Sequence, residues 1–289
     1  MAHSHSHSPE KIGWAFFLNF GFTIIEFIGG WLTNSTAIMA DAVHDLGDTL
    51  SIGSAWVLNK LGAKSATNEF TYGYRRLSLL GALINGVVLI AGSGWILYEA
   101  VPRLSNPEMP ETKGMIALAI LGVLVNGLAA FKLQGGKSLN EKVLNWHLLE
   151  DVLGWVAVLI VAIVMQFKDW PVLDSILSIG FTLFILFNVI RNLISTLKLF
   201  FQASPDNILL QNVTDKLLEL DAVSDLHHLH IWSLDGEHHV ATVHVVSQFE
   251  SKTEYLKLKE SVSDALQEFE LSHTTIEIEL TSEECRDAD

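Results

Sequence analysis

Up to about residue 203 the chain alternates long apolar runs with short polar breaks, and beyond that point its period changes. Six apolar stretches stand out, roughly 12–32, 36–58, 77–101, 114–133, 143–166 and 172–197. Each is close to the ~20 residues that a helix needs to cross a hydrocarbon core about 30 Å thick. A soluble protein would have to cover six such runs with a polar shell that the sequence does not contain. The pattern therefore predicts an α-helical membrane protein with six transmembrane helices. The second and fifth runs are the least pure, because they carry His and Asp. The first run lacks a basic start and a small-residue cleavage site, so it is expected to be a span and not a cleaved signal peptide.

Pro205 marks the end of the last span, and shorter periods follow. Asn207–Leu220 reads as an amphipathic helix, with Ile208, Val213, Leu217 and Leu220 near helical spacing. Asp225–Ser233 and His239–Ser247 alternate like strands. In the second strand Val240, Thr242, His244 and Val246 share one side, and Ala241, Val243 and Val245 the other. Asp235-Gly236 between them is a hairpin turn signal. Thr253–Phe269 is helical again, and Thr274–Leu280 alternates as a third strand. The order α-β-β-α-β predicts a small α+β layer of ferredoxin-like type. The expected organisation is an arm at 1–11, a membrane domain at 12–203 and a cytoplasmic domain at 204–289.

Charge sharpens this division. The chain has 289 residues, a formal charge of −15 and a mean hydropathy of +0.34, two values that pull in opposite directions. Residues 1–203 hold 13 basic and 14 acidic side chains, and residues 204–289 hold 5 and 19, so nearly all the negative charge sits in the tail. No basic stripe suits nucleic acid. The single Cys285 excludes a disulfide scaffold. With six spans both termini share a side, and that side carries ten of the thirteen basic residues of 1–203 against three opposite. The positive-inside rule then puts both termini in the cytoplasm.

The informative residues are ionisable groups inside the apolar runs. Asp41, His44 and Asp48 in the second run are spaced i, i+3, i+7, on one helix face. His147 and Asp151 in the fifth are spaced i, i+4. An Asp at mid-bilayer costs roughly 2.5–3.5 kcal/mol unless something compensates. Two imidazoles and two carboxylates make a four-ligand set suited to Zn²⁺, whereas carboxylates alone would lean to Mn²⁺ or Mg²⁺. Asp41 reads as a ligand, a membrane-edge group or a support behind the ligands. Asp45 and Glu150 lie off the ligand face and read as solvated or interfacial, and Glu26 in the first run is ambiguous.

These residues are accompanied by Thr71-Tyr-Gly-Tyr-Arg-Arg, Gly81-Ala-Leu-Ile-Asn85-Gly86, and Leu229-His230-Ile231-Trp232-Ser233 in the tail. The ordered set resembles the cation diffusion facilitators of the zinc-transporting, bacterial type, over nearly the whole chain. The resemblance implies a homodimeric carrier, not an enzyme, that exports a divalent metal ion against protons across a bacterial inner membrane. It implies one Zn²⁺ per protomer at His44, Asp48, His147 and Asp151. It also implies a second, cytoplasmic metal site at His227, His244 and Glu279; His227 and His244 independently fall on consecutive strands that can face each other. The loop Ser65–Tyr74 has no His, which argues against the further site that some bacterial members carry there, and Leu133–Asn145 lacks the His-rich loop of eukaryotic relatives.

The tail holds seven of the twelve histidines. Among them His230 reads as packing beside Trp232. Cys285 is a possible extra ligand. His3, His5 and His7 alternate with Ser, either as a metal-catching arm or as a spectator terminus. The alternatives to zinc exchange are a carrier for Co²⁺, Cd²⁺, Ni²⁺ or Fe²⁺, and a membrane metal buffer that does not transport. An intramembrane metallohydrolase would need a His-Glu-x-x-His motif, which is absent.

Overall fold

The computed structural model describes residues 9–62, 64–133, 139–285 and 287; the His-Ser repeat with His3, His5 and His7 lies outside them. Six long helices come first: α1 (Pro9–Thr33), α2 (Thr36–Gly62), α3 (Leu77–Ala100), α4 (Thr112–Leu133), α5 (Leu139–Phe167) and α6 (Val172–Phe200). The smaller elements follow: α7 (Asn207–Leu218), β1 (Val223–Ser233), β2 (His239–Ser247), α8 (Lys252–Gln267) and β3 (Leu271–Leu280). They cluster into two compact units, one of residues up to Lys60 with Gly81–Leu193, the other of Leu61–Leu80 with Ile194 onward.

Among the described residues of the first unit five helices are long and apolar enough to cross a membrane, namely α1, α3, α4, α5 and α6. Helix α2 falls short on composition, because Asp41, His44, Asp45 and Asp48 interrupt it. Yet α2 is the central helix. Its Ala37, Ile38, Ala40 and Ala42 are completely buried. Ala37 and Ile38 join α4 and α5 in one cluster with Met115, Trp155 and Met165. Met39, Ala40 and Val43 join α3 and α6 in another with Leu89, Ile96 and Ile185. Small residues admit such close packing: a Cβ on Gly92 would stand 2.7 Å from Val43, and one on Gly122 would enter the Trp155 ring. The opposite surfaces are apolar and exposed, with Trp31, Tyr98, Phe131, Phe167 and Phe187 pointing outward. That is the arrangement expected where the surrounding solvent is lipid.

A buried carboxylate fixes where α2 begins. Asp174, near the start of α6, accepts hydrogen bonds from the Ser35 hydroxyl (2.6 Å), the Thr36 hydroxyl (2.8 Å) and the Thr36 and Ala37 backbone N–H groups (2.7 and 3.4 Å). It adds acceptors from another helix for the first-turn N–H groups, while the N-cap Ser35 hydroxyl itself accepts from the Ile38 N–H at 3.2 Å.

The second unit is the expected α+β layer. Its sheet order is β1-β2-β3, with β1 and β2 antiparallel and β2 and β3 parallel across α8. Ala241, Val243 and Val245 of β2 pack with Val213 and Leu217 of α7 and Leu258, Val262 and Leu266 of α8. His244 and its alternate neighbours therefore lie on the sheet's other face. Asp235 shapes the β1–β2 turn: its Oδ1 accepts from the Glu237 and His238 N–H groups at 3.0 and 2.8 Å, and Gly236 takes φ +102°.

Candidate metal sites

The i, i+4 spacing of His44–Asp48 on α2 and His147–Asp151 on α5 presents a His and an Asp from each helix, and the fold turns the two pairs toward each other. His147 Nε2 lies 2.9 Å from Asp48 Oδ2. His44 Nε2 lies 3.7 Å from both Asp48 Oδ2 and Asp151 Oδ1, and His147 Nε2 lies 3.9 Å from Asp151 Oδ2. The two imidazole rings meet edge to face at 5.6 Å. In a tetrahedral zinc site with ligand bonds of 2.0–2.1 Å, the donor atoms stand about 3.3 Å apart. The donor atoms of His44, Asp48 and His147 all lie within 4.8 Å of one another, whereas Asp151 approaches the two histidines through different oxygens and would have to turn to complete a tetrahedral set. A cavity of about 260 Å³ adjoins the cluster, lined by Asp41, His44, Asp151, Gly154 and Phe181 among others.

Asp41 is buried beside the cluster and not within it. Glu150 is exposed, as its position off the ligand face suggested. Asp45 differs from the solvated or interfacial reading: it is 7% exposed. The face of α2 that adjoins the His and Asp donors is covered by α1, where Asn19 Nδ2 bonds Thr49 Oγ1 at 2.9 Å and reaches the Asp45 carbonyl at 3.3 Å. On α1, Glu26 is 1% exposed and its carboxyl faces those of Asp45 and Asp41. Periodicity alone singled out neither residue.

In the second unit His227 on β1 and His244 on β2 are Cα partners across the sheet. Glu279 on β3 joins them: its Oε2 lies 3.0 Å from His227 Nε2 and its Oε1 lies 2.7 Å from His244 Nδ1. The tail after β3 returns over this face, bringing Cys285 Sγ to 3.5 Å from His244 Nδ1. The donor atoms of these four residues all lie within 4.8 Å of one another. Burial tends to raise the pKa of Glu279, but hydrogen bonds from Cys285 and His244 and the charge of His227 outweigh it and hold the carboxyl below its usual range. For Cys285, burial and the negative charges of Glu279 and Asp287 push the thiol up, so metal binding there would have to displace a proton.

A bulge in β1 between His227 and His230, with His228 at φ +49°, brings the His228 ring within 5.1 Å of that of His244. His230 is exposed, contrary to the expectation that it packs beside Trp232, because the strand face it occupies is the open one. His238 bonds Asp235 at 2.7 Å, and His273 meets Tyr72 at 5.5 Å, so neither joins the cluster.

Residues 14–201 match the model of the cation efflux transmembrane domain, and residues 205–281 match that of the cation efflux protein cytoplasmic domain. A cadmium, cobalt and zinc/H(+)-K(+) antiporter of Bacillus subtilis is 32% identical, over 96% of this chain and 92% of its own length. The metal cation efflux system protein CzcD of Cupriavidus metallidurans is 33% identical over 99% and 92%. The zinc transporter ZitB of Escherichia coli is 31% identical over 96% and 93%.

Proposed function

The chain belongs to the cation efflux family, the cation diffusion facilitators, and from that premise we propose that it exports a divalent metal ion, Zn²⁺ foremost, in exchange for protons. The observation that carries this reading is the convergence of His44, Asp48, His147 and Asp151 from two helices at separations near those of a tetrahedral site. Metal binding requires neutral imidazoles and ionised carboxylates, so protons leave as the ion enters. On the far side protons return and expel it. Helix movement that opens the cluster to one side and then the other gives alternating access.

Relatives named for cadmium and cobalt as well as zinc make Cd²⁺ and Co²⁺ the nearest alternative cargoes. We assign His227, His244 and Glu279 to a regulatory cytoplasmic site in a homodimer. We place both termini in the cytoplasm and the protein in a bacterial inner membrane. Two tails that each carry most of the chain's negative charge repel at a twofold contact, and bound Zn²⁺ would relieve that repulsion.

The test is metal flux into proteoliposomes across a panel of Zn²⁺, Cd²⁺, Co²⁺, Ni²⁺ and Fe²⁺, with and without a pH gradient. The expected result is gradient-driven zinc flux that His44→Ala and Asp151→Ala abolish. Unchanged flux in those variants would overturn the site assignment, and metal binding without flux in the wild type would make the protein a buffer.

A further inference from the structure

Beside the four metal-ligand candidates lies a second group of ionisable side chains that the exchange reading leaves without a role. Helix α1 carries Asn19, Thr23 and Glu26 at i, i+4 and i+7, and α2 carries Asp41, Asp45 and Thr49 at i, i+4 and i+8, so each set lines one face of its helix. The two faces meet. Asn19 bonds Thr49, and the Thr23 and Thr49 hydroxyls lie 3.2 Å apart. Further along the same seam Glu26 faces Asp45 and Asp41. Three carboxyl groups are thus gathered at depth, at 1, 8 and 7% exposure for Glu26, Asp41 and Asp45.

Among the described residues no donor reaches either carboxyl oxygen of Glu26 or Asp41 Oδ2, and the side-chain contact of Glu26 is with the Asp45 carboxyl, another acceptor unless one of the two is protonated. The charged groups that act on Glu26 are Asp45 and Asp41 of α2 and Asp151 of α5, all of its own sign. Helix α4 presents apolar Leu118 to the neighbouring turn of α1, against Gly29. A carboxylate buried without partners and among like charges is strongly disfavoured until a cation joins it. Ionisable groups in this position inside a membrane mark ion and proton pathways.

We propose that Glu26 is a proton-binding position for the exchange, separate from the metal ligands and seated on the α1–α2 seam beside them. A proton needs no room between packed helices, and it lets Glu26 donate to the carboxyl of Asp45. The Asn19–Thr23–Thr49 groups continue the polar seam away from it. When a divalent ion enters the cluster on the adjoining face of α2, its charge favours release of this proton; by linkage, return of the proton favours release of the metal. This inference rests on the metal/proton exchange proposed above.

The test compares wild type with Glu26→Gln and Glu26→Asp in full-length protein. Two quantities are read: protons released per Zn²⁺ bound in weakly buffered detergent solution, and protons moved per Zn²⁺ in proteoliposomes. Glu26→Gln is expected to bind Zn²⁺ with the wild-type stoichiometry and to release about one proton fewer per ion, with the zinc flux losing part of its dependence on the pH gradient. Glu26→Asp is expected to restore the missing proton, which a purely structural role would not require. Glu26→Gln with wild-type proton release would overturn the proposal. So would a deficit that appears only when K⁺ is absent and vanishes in its presence, since the occupant would then be K⁺. If wild type moves zinc with no proton exchange at all, the exchange reading itself fails, a result distinct from failure at Glu26.

Discussion

Asp174→Ala removes one side chain from α6 and tests how α2, which carries half of the transport cluster, is held. The native carboxylate is 2% exposed and accepts from two hydroxyls and two backbone N–H groups of Ser35, Thr36 and Ala37. Loss of a helix-capping acceptor costs about 1–2 kcal/mol. The Ser35 and Thr36 hydroxyls, at 1 and 3% exposure, lose the same acceptor, which at the low end of the range costs about 1 kcal/mol each. The sum is about 3–4 kcal/mol. For a unit of this size that corresponds to a fall in Tm of roughly 6–16 °C. The assay is thermal unfolding of the purified protein in detergent, followed by fluorescence of tryptophans that include the buried Trp155. Asp174→Asn keeps one acceptor oxygen and turns a donor toward the Thr36 N–H, so it should fall between the two. Zinc affinity should drop alongside Tm, because the start of α2 sets the height of His44 and Asp48 against α5. An Asp174→Ala protein that melts within about 1 °C of wild type would refute the reasoning, since four hydrogen bonds to a buried charge would then have no measurable net value.

Three further outcomes are expected. Cys285→Ser should weaken metal binding at the cytoplasmic cluster, and Cd²⁺ more than Zn²⁺ because thiolate is the softer ligand; calorimetry with both ions in an Asp48→Ala background reads this. Asp235 has its carboxyl held below the usual range, because bonds from the His238 and Glu237 N–H groups and from the His238 ring outweigh its burial. That stabilisation is present above the ordinary carboxylate value and lost as pH falls through the depressed one, so Asp235→Asn should melt lower at neutral pH and show a shallower loss under acid, as seen by Trp fluorescence from pH 7 to 3. Spectroscopic distance labels on the two tails of a dimer should move together on adding Zn²⁺, and high salt should mimic part of the effect by screening.

The spacings that a single helix imposes were readable in the chain. His44–Asp48 and His147–Asp151 each share a face because the helical repeat makes them do so, and the strand alternation of β2 separated His244 from Val243 and Val245. Relations between elements were not readable in this way. Asp45 looked solvated because a helical wheel shows which residues share a face, but not that α1 covers the adjoining one. Glu26 carried the only hint, as a single acid in an otherwise apolar run. Cys285 follows the last strand, where no period applies, and its approach to His244 depends on the tail turning back. The contact between Glu279 and both histidines depends on the parallel register of β3 on β2, which pairs Val246 with Glu279 and His244 with Glu277. His228 enters through a bulge that alternation does not foresee.

Helix α2 concentrates a conflict that the exchange reading resolves. It is the most deeply packed of the six long helices and also the one whose composition fails the test for a span. With Glu26 and Asp151 it gathers five carboxyl groups, Glu26, Asp41, Asp45, Asp48 and Asp151, around two imidazoles. With every group in its ordinary charge state and no cation bound, the region holds a large uncompensated negative charge at low dielectric, which is strongly unfavourable. A divalent ion on the His–Asp face removes much of that charge, and so do protons on the α1 face and on the ligands. The state with neither is the costly one. A carrier whose empty, unprotonated form is disfavoured does not readily reorient without a passenger, and this links outward metal to inward protons without a separate gate. The same argument makes the acids outside the ligand set, Glu26 first among them, the place where coupling can be weakened while metal binding is left intact.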